Sequence, residues 1–260
     1  MEQQISATTA WIYSVLFAYL PYVAFGIFIA GLIWRIRHAN PTIQALSTQF
    51  LSNDKMIKWG SPLFHFAVIG VFFGHIFGLL APEPLYIWLM SNETKRLLAI
   101  IMGGGAGIIA LIGITLMMVR RFSNERVSVR SSFADKAIVV LIFVQILTGL
   151  LGTYVTSQSP LEAYMTIDHW AQGLFIFKPD SWIHLLDTSL IHKIHILLGF
   201  LIVIVFPFTK LMHMVAIHQE QFVPRLDTQN PECMSSLFLR HQASDFLSWN
   251  RTTSNMTISA

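Results

Sequence analysis

Five long apolar stretches limit the folds that are open to this chain of 260 residues. Each stretch runs for about 20 residues, the length at which an α-helix crosses a hydrocarbon core of about 30 Å. Only 12% of the residues are charged and the mean hydropathy is +0.58, whereas soluble domains have about 25% charged residues. We therefore predict an all-α, polytopic membrane protein, a bundle of five transmembrane helices at 10–34, 62–80, 97–119, 137–155 and 190–215.

The basic residues are distributed unevenly between the two sides that these spans define. Only four of the 17 Lys and Arg residues lie on one side, namely Lys95, Arg96, Lys178 and Lys193. Cytoplasmic loops are enriched in Lys and Arg, so this bias predicts the N-terminus outside and the C-terminus in the cytoplasm. The segment before Arg35 lacks the positive region of a signal peptide, so we expect the first span to be retained. The basic residues lie in the predicted loops, and the membrane topology alone accounts for them, so no nucleic-acid partner is expected.

The remaining segments divide the chain into two predicted parts. Residues 1–217 are expected to form the five-helix membrane domain, and 218–260 a polar cytoplasmic tail that is a candidate contact for partner subunits. The connection 156–189 mixes aromatic and polar residues, and we expect a short amphipathic helix in it. Cys233, in the tail, is the single cysteine. It excludes a disulfide framework, covalent haem attachment through two cysteines, and a cysteine-ligated iron–sulfur cluster.

Four histidines fall within the second and fifth spans. His65 and His75 are ten residues apart, and His195 and His213 are eighteen apart. Ionisable groups inside a membrane are costly and mark function by default. Because the two spans run in opposite directions, His65 should lie level with His213, and His75 with His195. Two axial imidazoles saturate a haem iron, and such a centre carries electrons.

Alternatives to this ligand set remain at this stage. On ideal helices the separations are about 15 Å and about 27 Å, although Pro207 should kink the fifth span between its histidines. A structural role or another metal is the competing interpretation, and His192 is the substitute ligand. Beside His75, the evenly spaced Gly70, Gly74 and Gly78 would let a flat cofactor approach. Ser61 and Pro62 predict the start of the second helix, and Pro82 its end.

Five motifs in these segments carry a family resemblance. They are LFHFAVIGVFFGHIFGLLAP (63–82), ETKRLLAIIMGGGAG (93–107), RRFSNERV (120–127), WAQ (170–172) and IHILLGFLIVIVFPFTKLMH (194–213). Together they resemble the gamma subunit of respiratory nitrate reductase, the membrane cytochrome b of that complex. The resemblance implies two non-covalent b haems, the outer held by His75 and His195 and the inner by His65 and His213.

The resemblance also implies an activity in the bacterial cytoplasmic (inner) membrane. The family oxidises membrane quinol near the outer haem and passes electrons through an iron–sulfur beta subunit to a molybdenum-containing catalytic alpha subunit. Its quinol site includes a lysine that falls on Lys95, where a snorkelling lysine at a helix end is the simpler interpretation, and a glycine that falls on Gly74. The tail after His218 departs from the family pattern. Rival functions are the equivalent subunit of another quinone-linked complex, and a haem-free membrane anchor or transporter.

Overall fold

The computed structural model describes residues 6–38, 54–209 and 211, apart from the side chains of Arg126 and Arg130. The regular structure in these ranges is entirely helical. They contain five helices long and apolar enough to cross a membrane, which confirms the all-α, five-span prediction. These are span 1, Ala7–His38; span 2, Lys55–Leu80; span 3, Asn92–Ser123; span 4, Phe133–Gln158; and span 5, Leu190–Phe208.

Span 2 begins seven residues earlier than predicted. The Asp54 side chain accepts a hydrogen bond from the Met56 backbone N–H and caps the helix, and Pro62 lies inside it. The prediction of Ser61 as the cap and Pro62 as the first helical residue is therefore wrong. A proline removes a single backbone donor, and a helix capped upstream continues through it. The helix ends at Leu80, ahead of Pro82, as predicted.

Span 1 contains a π-helical turn at Val15–Tyr19 immediately before Pro21. Pro21 has no N–H, so it cannot donate to the carbonyl of Phe17 four residues earlier. The indole Nε1 of Trp170 donates to that carbonyl over 2.9 Å. A side chain from another helix thus provides the hydrogen bond that the proline cannot.

Spans 2 and 3 are antiparallel and pack backbone to backbone. A Cβ atom added to Gly113 would lie 2.6 Å from the Phe64 nitrogen and 2.9 Å from the Gly60 carbonyl oxygen, so only glycine fits there. At one end of the pair, Arg120 Nε donates to Asp54 Oδ2 over 2.6 Å. This hydrogen bond, and a second from the Met56 backbone, lower the pKa of Asp54.

The connection between spans 4 and 5 contains a helix at Leu161–Phe175, here called the connecting helix, followed by a 3₁₀ helix at Pro179–Leu185. Trp170 and Ala171 are buried with Phe17 and Leu185 in one apolar cluster. Gln172 Nε2 donates to the carbonyls of Leu79 and Ala81, at 3.2 and 3.1 Å. The WAQ motif therefore fastens this helix to span 1 and to the end of span 2.

Span 5 changes from α-helix to 3₁₀ helix next to Pro207. Its α-helix ends at Val205 and is followed by the 3₁₀ turn Phe206–Phe208. The proline ring packs against Gly31 of span 1, where an added Cβ would lie 2.8 Å from the Pro207 Cβ. Ideal-helix spacing therefore cannot be extended from His195 to His213. His213 and the predicted tail, 218–260, lie outside the described residues.

Candidate functional site

His75 and His195 lie side by side at one end of the bundle. His75 is in the last turns of span 2 and His195 is in the first turns of span 5. Their ring centroids are 6.1 Å apart. A metal ion bound by two imidazole nitrogens on opposite sides, with bonds of about 2.0 Å, would separate the centroids by about 6 Å. The distance between the two rings matches that separation, and the ring planes are inclined by 29°.

Backbone carbonyls orient the three described histidines of the predicted ligand set. The Nδ1 atoms of His65, His75 and His195 lie 2.7, 2.8 and 3.2 Å from the carbonyl oxygens of Ser61, Val71 and Gln145 respectively. A carbonyl oxygen only accepts, so in a neutral imidazole Nδ1 carries the proton and Nε2 the lone pair. This is the arrangement that metal-ligating histidines use.

Span 4 surrounds the His195 ring with groups that the sequence did not single out. Gln145 Nε2 lies 3.3 Å from His195 Nε2, and Thr148 Oγ1 lies 3.2 Å from His195 Nδ1. A Cβ added to Gly149 would lie 2.9 Å from the ring carbon Cε1. The available signal was Gln145 itself, an amide in the middle of an apolar span.

The substitute ligand, His192, has both ring nitrogens occupied. Its Nδ1 is 2.6 Å from Ser189 Oγ and its Nε2 is 3.1 Å from Thr156 Oγ1. Hydroxyl groups thus contact both ring nitrogens of His192 in the described structure. In the described ranges, no three His, Cys, Asp or Glu side chains are gathered as they would be round a metal ion.

The predicted glycine strip on span 2 faces open space. A Cβ added to Gly70, Gly74 or Gly78 would meet no heavy atom within 4 Å. These positions form a strip beside His75 on span 2, and at about 100° per residue that strip lies away from His65.

Lys95 is buried, and its partner is an acid that the sequence interpretation missed. Its ammonium lies 2.6 Å from Asp168 Oδ2, and the two side chains are 7% and 0% exposed. The Tyr86 ring lies beneath the ammonium, 4.3 Å from Nζ to the ring centroid. A snorkelling lysine would hold its ammonium in water, whereas this one is enclosed by protein. Asp168 lies in the connecting helix, where a charged side chain is ordinarily solvated.

Burial and pairing act in opposite directions on Asp168. Burial raises the pKa of its carboxyl group to about 6, and the hydrogen bond and charge of Lys95 reduce that rise. Its second oxygen, Oδ1, is buried and accepts no hydrogen bond from the described part of the chain. The result is a carboxyl group poised to take up a proton close to neutral pH.

The fold and the site together define a multi-pass helical membrane protein whose paired imidazoles suit a metal-containing prosthetic group. Residues 13–225 match the family model described as nitrate reductase gamma subunit. The chain belongs to that family, which confirms the resemblance and the expectation of a multi-pass bacterial membrane protein. Family membership makes it the membrane subunit of a multi-subunit oxidoreductase.

Three relatives show how much of the chain this similarity covers. The respiratory nitrate reductase 2 gamma chain of Escherichia coli K12 is 34% identical over 206 residues, which are 79% of this chain and 91% of that one. The respiratory nitrate reductase 1 gamma chain of the same organism is 32% identical over 77% of this chain and 89% of its own. The nitrate reductase gamma chain of Bacillus subtilis is 32% identical, covering 78% of this chain and 91% of its own.

Proposed function

We propose that this chain is the dihaem cytochrome b of a respiratory nitrate reductase and the subunit that oxidises quinol. His75 and His195 would hold the outer haem, with Gly70, Gly74 and Gly78 leaving room for the macrocycle, and His65 and His213 would hold the inner one. The observation that carries the proposal is the His75–His195 pair, whose centroids are 6.1 Å apart. When bound between two imidazoles, a haem has no open coordination position and carries single electrons.

Lys95 is the residue that we assign to the quinol. It lies in the first turn of span 3, at the end of the bundle that carries His75 and His195. Its ammonium has three hydrogens, and the described structure shows one hydrogen bond from it, to Asp168. A second donor position can therefore hold a quinol oxygen and stabilise the negative charge that develops there. Gly74, beside His75, would leave space for the ring.

The partners follow from the same proposal. Electrons would pass to an iron–sulfur beta subunit and then to a molybdenum-containing alpha subunit that reduces nitrate. The 1–217 membrane domain would hold the haems, and the 218–260 tail would contact those subunits. Quinol protons would leave on the outer side, so that turnover would contribute to the proton gradient.

Redox titration of the purified complex with His75→Ala and His65→Ala tests the haem assignment. We expect two b-type alpha bands in the parent, with a different one lost in each variant, because one axial ligand is removed each time. His192→Ala is the matched control, since His192 lies one turn before His195 on span 5 and is outside the proposed ligand set, and it should keep both bands.

Two results would contradict the assignment. Retention of both haems in His75→Ala would remove His75 as a ligand, and absence of any alpha band in the parent would favour a haem-free anchor or transporter. The soluble subunits that co-purify identify the complex, because the equivalent subunit of another oxidoreductase would bring different ones.

A further inference from the structure

The Lys95–Asp168 pair is unusual because burial encloses both charges. Exposed ion pairs contribute little, and buried ones repay their desolvation only when further hydrogen bonds satisfy the remaining atoms. Here Asp168 Oδ1 is buried and accepts nothing from the described residues. A purely structural pair would leave that oxygen at the cost of its desolvation. Buried polar atoms without a partner are uncommon in folded proteins, and a catalytic role is one reason for them.

The pair belongs to the end of the bundle that holds the outer histidines. Asp168 precedes Gln172 by one helical turn, and Gln172 donates to the carbonyls of Leu79 and Ala81. Leu79 in turn follows His75 by one turn on span 2. The connecting helix therefore carries the carboxyl group to the place where span 2 ends and span 3 begins. Lys95 lies in the first turn of span 3, in contact with the carboxyl group of Asp168.

We propose that Asp168 is the proton acceptor behind Lys95, taking up a proton that the quinol releases and holding it before its transfer to the outer side. This inference rests on the proposed quinol site at Lys95. Asp168 is a positioning and relay residue, because it is completely buried and meets the quinol only through the lysine.

The relay balances as an acid–base step. The Lys95 ammonium gives a proton to Asp168, and the neutral amine then takes the proton of the quinol hydroxyl. One N–H bond breaks and re-forms, one O–H bond breaks on the quinol, and one O–H bond forms on the carboxyl group. The pair goes from a net charge of zero to +1 and the quinol becomes its monoanion. No electron moves in this step, so it needs no oxidant.

The charged and titratable groups near Asp168 are a lysine, two tyrosines and a histidine. Lys95 faces it from span 3 and the Tyr86 ring lies against the ammonium, while Tyr164 and His169 belong to the connecting helix itself. Burial and the nearby Asp168 charge raise the pKa of the Tyr164 phenol, so that phenol stays protonated. The pKa of Asp168 is about 6, a value suited to accepting a proton at neutral pH and giving it up again.

The test is steady-state turnover of the intact complex with quinol as donor, in Asp168→Asn. Asparagine keeps the size and the hydrogen bond from Lys95 but cannot take up a proton. A positioned acid–base group contributes about 10²-fold or more, so we expect quinol kcat to fall by about 10²-fold with little change in KM. Asp168→Glu, which restores an acid, should recover most of the rate.

The pH profile separates a relay from a structural role. In the parent, quinol kcat should fall as the pH drops below about 6, because Asp168 is then already protonated. Asp168→Asn should lack that decrease. Glu162→Gln is the matched control: it makes the same chemical change on an exposed residue of the same helix and should keep the parental rate and profile. A parental rate and profile in Asp168→Asn would overturn the proposal.

Two further measurements keep the outcomes distinct. A reduced dye that donates to the soluble subunits should support full nitrate reduction in every purified complex, which shows that those subunits are active and that any loss of quinol turnover arises in the membrane subunit. If Lys95→Gln loses quinol turnover and Asp168→Asn does not, the relay alone fails; if neither loses it, the proposed quinol site fails.

Infrared difference spectra on quinol addition should show a protonated-carboxyl band that Asp168→Asn lacks and Asp168→Glu shifts. Absence of that band in the parent contradicts the relay even where a variant fails to assemble.

Discussion

Single residues on span 4 decide how the His195 ring is held. Gln145 and Thr148 contact both ring nitrogens, and Gly149 leaves space for the ring itself. The sequence could predict His195 because a histidine in an apolar span is conspicuous. Gln145, an amide inside an apolar span, was a signal, but Thr148 and Gly149 were not, because a hydroxyl and a glycine are common in membrane helices for packing reasons alone.

Gly149→Ala should disturb the outer haem selectively. The added methyl group would lie 2.9 Å from the His195 ring, so the ring must move away from the position in which it faces His75. We expect a lower ratio of haem to protein, or a shifted potential, for the outer haem and not the inner one. Gly26→Ala, where the added carbon meets nothing within 4 Å, is the control. Unchanged spectra and potentials in both variants would show that the ring is not held as the structure has it.

Among the helices, a proline alone does not decide where a helix begins or ends. Pro62 was taken as a start, but span 2 already has a cap at Asp54 and runs through it. Pro207 was expected to kink span 5, and the α-helix indeed ends two residues before it. The surroundings of the two prolines differ: a local cap at Asp54 precedes Pro62, whereas Pro207 packs against Gly31 of span 1.

Trp170→Phe should destabilise the junction between the connecting helix and span 1. The change keeps an aromatic ring in the buried cluster and removes the donor to the Phe17 carbonyl, which Pro21 cannot serve. An unsatisfied buried acceptor costs about 1–3 kcal/mol. Thermal unfolding in detergent measures the loss, and Trp11→Phe, at a side chain that is 67% exposed, should show none. Equal stability of the two variants would count against this role.

The composition of the whole chain was enough to predict five spans. Because successive spans run in opposite directions, that prediction also placed His75 level with His195. The ends were less predictable, because terminal turns carry polar residues: span 3 begins at Asn92 rather than 97. The Lys95–Asp168 pair could not be predicted. Its members are 73 residues apart, and the acid lies in a segment whose polar residues suggest exposure to water.

The orientation of the bundle decides on which side quinol protons would be released. The charge distribution predicts the loop between spans 3 and 4 in the cytoplasm and the loop between spans 4 and 5 outside. Val129 and Phe177 are 80% and 77% exposed in those two loops, so cysteines there can report on the sides.

In a Cys233→Ser background, a membrane-impermeant maleimide should label Phe177→Cys in intact cells and Val129→Cys only after the membrane is opened. The reverse pattern would place His75, His195 and Lys95 on the cytoplasmic side. Protons leaving the Lys95 site would then enter the compartment where nitrate reduction consumes them, and turnover would no longer build a gradient. Labelling therefore tests the link between the site and energy conservation without any measurement of catalysis.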